Sequence, residues 1–200
     1  MTYQLYPIRK IAPALIVPMA KLHESALHTL LSDMGFPFVL RYFQLAVSDP
    51  LVIGFYALSE KGVLIGYVLG TPKPDKLNSQ ITKSIPWFAV QCIRLLFTRP
   101  GVLWQAVVSS LTLSKQIADE TDAIEVVYMS VDPQARGQGL GRALMQEFHD
   151  ASRAAGYKRV LGSQELGNEV SIGLLSSMGY QAKYVFREGR YERQRIELIL

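Results

Sequence analysis

Apolar residues recur at helical spacing over residues 13–31, at Leu15, Met19, Leu22, Ala26 and Leu30, and predict a first helix. The break Gly35-Phe36-Pro37 opens a second helix of about three turns, which Asp49-Pro50 stops. Apolar runs at 51–58 and 63–69, separated only by Ser59-Glu60-Lys61-Gly62, read as an antiparallel hairpin. Residues 71–80 then turn polar, with Pro72 and Pro74, and lead into two strongly apolar helices at about 85–98 and 101–117. After Asp119-Glu120-Thr121-Asp122 comes a strand at 124–131, ended by Asp132-Pro133. The helix that follows carries Leu140, Ala143, Leu144, Phe148, Ala151 and Ala155 on one stripe and closes at Gly156, the residue type that takes a left-handed helix end. A strand at 158–162, a short helix near 169–178 closed by Gly179, and a hairpin over 180–200 turning at Glu188-Gly189 complete the pattern. Such alternation belongs to the α/β or α+β class, around a mixed sheet.

At 200 residues the chain is sized for one domain, residues 1–200, with the two apolar helices forming an insertion over 71–122. Residues 9–20 place basic residues before an apolar stretch as a signal peptide does, but Pro13 and Pro18 interrupt it and Lys21 follows, so it is read as mature protein. Residues 85–113 are greasier, yet Arg94, Arg99 and Pro100-Gly101 divide them into halves short of the roughly 20 residues that a spanning helix requires. A membrane is therefore not an expected partner. One cysteine, Cys92, permits no internal disulfide, and His23, His28 and His149 show no metal-ligand spacing, so no metal is expected and a reducing cytoplasm is the natural setting. A net charge of +4 suits small anions without demanding nucleic acid. The basic hairpin with Arg187, Arg190, Arg193 and Arg195 interleaves Glu188, Glu192 and Glu197, which reads as a salt-bridged surface rather than an RNA platform.

The chemistry concentrates in residues 132–145, where Gly137, Gly139 and Gly141 lie between a strand and an amphipathic helix. The first turn of a helix presents unpaired N–H groups and the positive end of the macrodipole, a site for phosphate or pyrophosphate that Arg136 and Arg142 strengthen. A P-loop would need Gly-Lys-Ser/Thr and a dinucleotide fingerprint G-x-G-x-x-G; the spacing here is G-x-G-x-G. The plain alternative is a glycine-rich turn with no ligand.

Gln134-Ala135-Arg136-Gly137-Gln138-Gly139, followed by Leu140-Gly141 and preceded by Val-Asp-Pro, resembles the acetyl-CoA motif of the GNAT N-acetyltransferases, Q/R-x-x-G-x-G/A. Gly156-Tyr157, Val160, Asn168 and Met178-Gly179-Tyr180 follow in the order that the family implies, and residues 1–70 are compatible with its opening strand, two helices and hairpin. The resemblance implies an α/β fold with a mixed, mostly antiparallel sheet flanked by helices, the helical insertion falling between strands three and four. It implies that strand four splays from strand five and takes the pantetheine arm along its edge, with acetyl-CoA held by Met129, Val131, Gln134, Arg136, Gly137, Gln138, Gly139, Leu140, Gly141, Arg142 and Asn168.

Amine attack on a thioester needs a neutral nitrogen and then a proton acceptor. Glu125 is the candidate base, since the family often uses a glutamate of strand four; a strand-end surface charge is the alternative. A strict period of two puts Glu125 on one face with Val127, Met129 and Val131. The family tyrosine that protonates the departing thiolate is replaced by Leu175, which leaves Tyr128, Tyr184, Ser171 or water as substitutes. Glu24 and His28, four residues apart, could line an acceptor cleft or form a solvated helix pair. The expected activity is acetyl transfer from acetyl-CoA to a primary amine of a small molecule or peptide. A non-catalytic acyl-CoA-binding or sensing module is the alternative, membrane-peripheral through the insertion, whose Trp87, Phe88, Phe97 and Trp104 suit a lid, a homodimer surface or a membrane-facing patch.

Overall fold

A computed structural model describes residues 2–113 and 122–200. The expected turn at 119–121 and the end of the second apolar helix, 114–117, lie outside the described residues. Seven strands form one sheet in the order β1-β2-β3-β4-β5-β7-β6. They are β1 (Tyr3–Pro7), β2 (Ile53–Ser59), β3 (Leu64–Thr71), β4 (Ala123–Val131), β5 (Arg159–Glu165), β6 (Gln181–Glu188) and β7 (Tyr191–Ile199). Every neighbouring pair is antiparallel except β4 and β5, which run parallel.

One face carries α1 (Ile16–Ala26), α2 (Leu30–Met34), α3 (Phe36–Ser48), α4 (Pro74–Thr82), α5 (Ile85–Thr98) and α6 (Pro100–Leu113); Met19, Phe38, Tyr42, Phe43, Tyr67 and Leu77 are buried in its core. The other carries α7 (Leu140–Ala154) and α8 (Glu169–Ser177), over Ile124, Leu140, Leu144, Phe148, Val160 and Ile196. The segment 9–20, signal-like in sequence, sends Met19 and Ala20 into the core.

Three differences from the sequence reading have physical causes. The first helix ends at Ala26, where Leu27 turns extended and Thr29 caps α2 through Ser32 N at 3.0 Å. Glu24 and His28 are therefore not stacked on one helix. Residues 74–82, read as polar connection, are helical: Pro74 sits in the first turn, and the two apolar side chains Leu77 and Ile81, one turn apart, are buried. Trp87 is half-buried against the core rather than turned outward, since its ring and that of Phe88 pack edge-on against Phe38.

Two histidines are buried neutral. His23 Nδ1 lies 2.9 Å from the Tyr67 hydroxyl and Nε2 3.3 Å from Thr29 Oγ1; His149 Nε2 lies 2.8 Å from the Tyr180 hydroxyl. Burial, with Arg193 adding, lowers the His23 pKa to about 3, and burial, with Arg153 adding, lowers that of His149 to about 4. Unfolded histidine takes its proton near pH 6.5. Below that pH the unfolded chain binds protons that the folded chain refuses, so stability falls as pH falls toward 4, by on the order of 1 kcal/mol per pH unit for each histidine. Urea unfolding at pH 7.5 and at pH 5 checks this: the midpoint falls on acidification, and replacing His149 by Asn flattens the dependence.

Candidate active site

The parallel ladder between β4 and β5 holds only three pairs, Ala123 with Arg159, Ile124 with Val160 and Glu125 with Leu161. Beyond them β5 continues against β7 through Glu165 and β4 continues against β3 through Val131, so the two strands diverge. The edge of β4 from Val126 onward faces the gap, and an unpaired strand edge presents a row of backbone donors and acceptors to whatever enters.

At the far end of that edge is the glycine loop. Asp132 Oδ1 accepts from Gln134 N at 2.8 Å and starts a single 3-10 turn; Arg136 Nε donates to Val131 O at 3.2 Å, and Gln138 Nε2 to Gln134 O at 3.3 Å. Gly137 and Gly139 have φ of 74° and 79°, the left-handed region that favours glycine, and a Cβ at either would meet nothing within 4 Å. Gly139 is the N-cap of α7 without a side-chain cap, and no acid lies in the first turn, so the amides of Leu140, Gly141 and Arg142 point outward with no intrahelical partner. Arg142 is exposed and donates to Ser177 Oγ at 2.6 Å. Gly141 also serves packing, since a Cβ there would lie 3.2 Å from Leu174 Cδ2 and its smallness lets α7 pack on α8. Asn168 caps α8, its Oδ1 accepting from Ser171 N at 3.1 Å.

At the near end stands Glu125. The β3–β4 register slips between Leu69 and Gly70, opposite Tyr128 and Val126, and leaves Val127 as the extra residue of a bulge. The bulge overturns the strict alternation. Val127 and Tyr128 both pack against the α1–α3 core, whereas Val126, Met129 and Val131 pack against the α7 core. Glu125, between Ile124 and Val126, shares the α1–α3 face with Tyr128 and not with Met129 and Val131. Both its oxygens accept from Arg195 of β7, at 2.5 and 2.9 Å, with each side chain largely buried.

Around Glu125 lie groups whose chemistry is invisible in local sequence. His23 stands edge-on over Tyr128 at 4.5 Å between ring centres, and Tyr42 meets Tyr128 at 5.2 Å. Burial, with Glu188 and Glu125 adding, raises the Tyr128 phenol far above its usual range and keeps it protonated. Glu188 Oε2 accepts from Arg193 Nε at 2.5 Å, and Arg193 also donates to His28 O at 3.0 Å. Arg190 and Tyr191 bind Asp33 of α2 at 2.7 and 3.0 Å. The β6–β7 turn is thereby tied down over the α1–α2 connection. All four hairpin arginines are ion-paired. Of the substitutes for the missing phenol at Leu175, which is itself buried, Tyr128 stands on the face of Glu125, Tyr184 is exposed on β6, and Ser171 lies in the first turn of α8. Glu24 instead faces a cleft of about 340 Å³ with Gly35, Phe36, Gln91, Arg94 and Arg99. Among the described residues no cluster of metal-ligating side chains occurs.

Residues 24–180 match the model of the acetyltransferase (GNAT) family, and no curated protein matches the chain. Among solved structures, the ribosomal-protein-S18-alanine N-acetyltransferase from Escherichia coli is similar with a TM-score of 0.62 at 13% identity, over 99% of this chain and 94% of that one. A GCN5-related N-acetyltransferase from Kribbella flavida gives 0.62 at 16%, over 99% and 98%. A protein of Salmonella typhimurium solved with its cofactor acetyl-CoA gives 0.56 at 16%, over 100% and 95%. At such identities the likeness is one of fold.

Proposed function

This chain belongs to the GNAT acetyltransferase family, whose co-substrate is acetyl-CoA, and from that premise we propose that it transfers the acetyl group to a primary amine of a small molecule or peptide. The observation that carries the reading is the early end of the β4–β5 ladder: one open strand edge runs from an uncapped helix N-terminus to a buried carboxylate.

Acetyl-CoA, when bound, supplies an acyl group activated for attack. The chain's residues do the rest. The amides at the start of α7 and the exposed Arg136 and Arg142 suit the pyrophosphate, and the left-handed Gly137 and Gly139 keep side chains out of its way. Gln134, Gln138 and Leu140 frame that loop, and the backbone of Met129 and Val131 lies on the β4 edge where an extended amide-bearing arm can pair. N–H groups of that edge stabilise charge developing on a carbonyl oxygen. Glu125 takes the proton of the attacking amine. Arg195 holds the carboxylate in one orientation, and a carboxylate has about four lone-pair sites, so a bidentate arginine leaves acceptor capacity for the amine or a bridging water. Tyr128, held as a phenol, can donate a hydrogen bond on the same face.

The test is thiol release from acetyl-CoA with small amines, polyamines, amino acids and peptides. Release with one amine class is the expected result. Thermal stabilisation by acetyl-CoA with no release for any amine would instead establish the binding-module reading, which the buried Leu175 favours.

A further inference from the structure

The helical hairpin α5–α6 is inverted: its outward side is the apolar one. Trp87, Phe88 and Leu95 turn inward, while Ile85, Val90, Ile93, Leu96 and Phe97 are exposed, Phe97 at 82% and Ile85 at 74%. On the second helix Trp104 is 69% exposed. Positions 86, 90, 93 and 97 follow one another at three- and four-residue spacing and so form one stripe along α5. An exposed apolar stripe of this length marks an interaction surface.

Charge identifies what covers it. Residues 76–113 contain no Asp or Glu, but hold Lys76, Lys83, Arg94 and Arg99. Lys83 and Arg99 bracket α5 at its two ends, and Arg94 flanks the stripe; all three are exposed. A second copy of this chain, docking through the same patch about a two-fold axis, would bring like charges, Lys83 and Arg94 of each copy, face to face. An anionic lipid surface instead accepts the apolar stripe among its acyl chains and the cations among its headgroups, with exposed Trp and Phe at the level of the interface. No described helix is long and apolar enough to cross a membrane, so the hairpin lies on the bilayer rather than through it.

We propose that α5 and α6 dock this protein onto an anionic membrane surface. The inference stands independently of the acetyl-transfer reading. In the full chain, Trp104 is the reporter. With vesicles of half phosphatidylcholine and half phosphatidylglycerol, the protein co-sediments and its tryptophan emission shifts to the blue; with phosphatidylcholine alone neither occurs. The Ile93→Ser/Phe97→Ser double variant changes only exposed positions, so it folds and loses sedimentation. Lys83→Gln/Arg94→Gln lowers partitioning by about tenfold or more, and roughly 0.5 M salt does the same by screening. Acetyl-CoA thermal stabilisation, measured on the same samples, is unchanged throughout. The proposal is overturned by absence of vesicle binding, by equal binding to both vesicle types, by binding that survives the Ile93/Phe97 double variant, or by a dimer in sedimentation equilibrium that this variant dissociates in place of lipid binding.

Discussion

Replacing Glu125 by Gln lowers turnover with a saturating amine by about 10² to 10⁴ at neutral pH, the contribution of a positioned general base, while KM for acetyl-CoA stays where it was. Gln is nearly isosteric and its amide oxygen still accepts from Arg195, so the guanidinium keeps one of its two bonds and the β4–β7 connection persists. The remaining structural cost, that of leaving a largely buried cation without its anion, is read separately as a lower melting temperature. A structural role alone would move stability and acetyl-CoA affinity; a base moves kcat. Full activity in a folded Glu125→Gln protein removes Glu125 from the mechanism and passes the proton to Glu188 or to water.

Gly139→Val abolishes the thermal stabilisation by acetyl-CoA. Two effects coincide there. A β-branched residue at φ 79° is strained, and its side chain would occupy the open space over the α7 amides, where a Cβ meets no protein atom within 4 Å. Gly62, in the β2–β3 turn, separates them: it has φ 73° and equally open surroundings, so Gly62→Val suffers the same backbone strain away from the loop. Lowered stability with acetyl-CoA stabilisation intact is the result for Gly62→Val, and lowered stability with no stabilisation is the result for Gly139→Val. Retention of the ligand shift in a folded Gly139→Val protein would mean that the pyrophosphate does not sit on these amides.

Whatever local punctuation governs was legible in the sequence. The hairpin around Gly62, the strand stop at Asp132-Pro133, the glycine loop and the stripe of α7 all announce themselves within a dozen residues, and the structure places them where periodicity put them. The site lost in sequence is the part made by distant segments. Arg195 reaches Glu125 across β5, and His23 finds Tyr67 and Tyr128 only because α1 lies across β3 and β4. The Val127 bulge is the sharpest case: one unpaired residue moves Glu125 off the face of Met129 and Val131, and apolar residues on both sides of β4 leave alternation only Glu125 and Ser130 as polar positions to count against. Trp87 and Trp104 are alike in sequence and opposite in place, because an all-round apolar helix does not disclose which side the core takes.

The short seam between β4 and β5 has a mechanical consequence. Three residue pairs, the Asp122–Arg159 and Glu125–Arg195 ion pairs and the packing of α7 on α8 join the half-sheet β1–β4 to the half-sheet β5–β7 around that boundary. With an extended arm seated along β4, the gap beyond Glu125 gains backbone partners that the chain itself does not provide, so on the proposed reading the acyl donor acts as a temporary eighth strand. Occupancy and cohesion of the sheet then become one variable: stabilisation grows as RT ln(1 + [L]/Kd), and each release of CoA reopens the gap beyond Glu125.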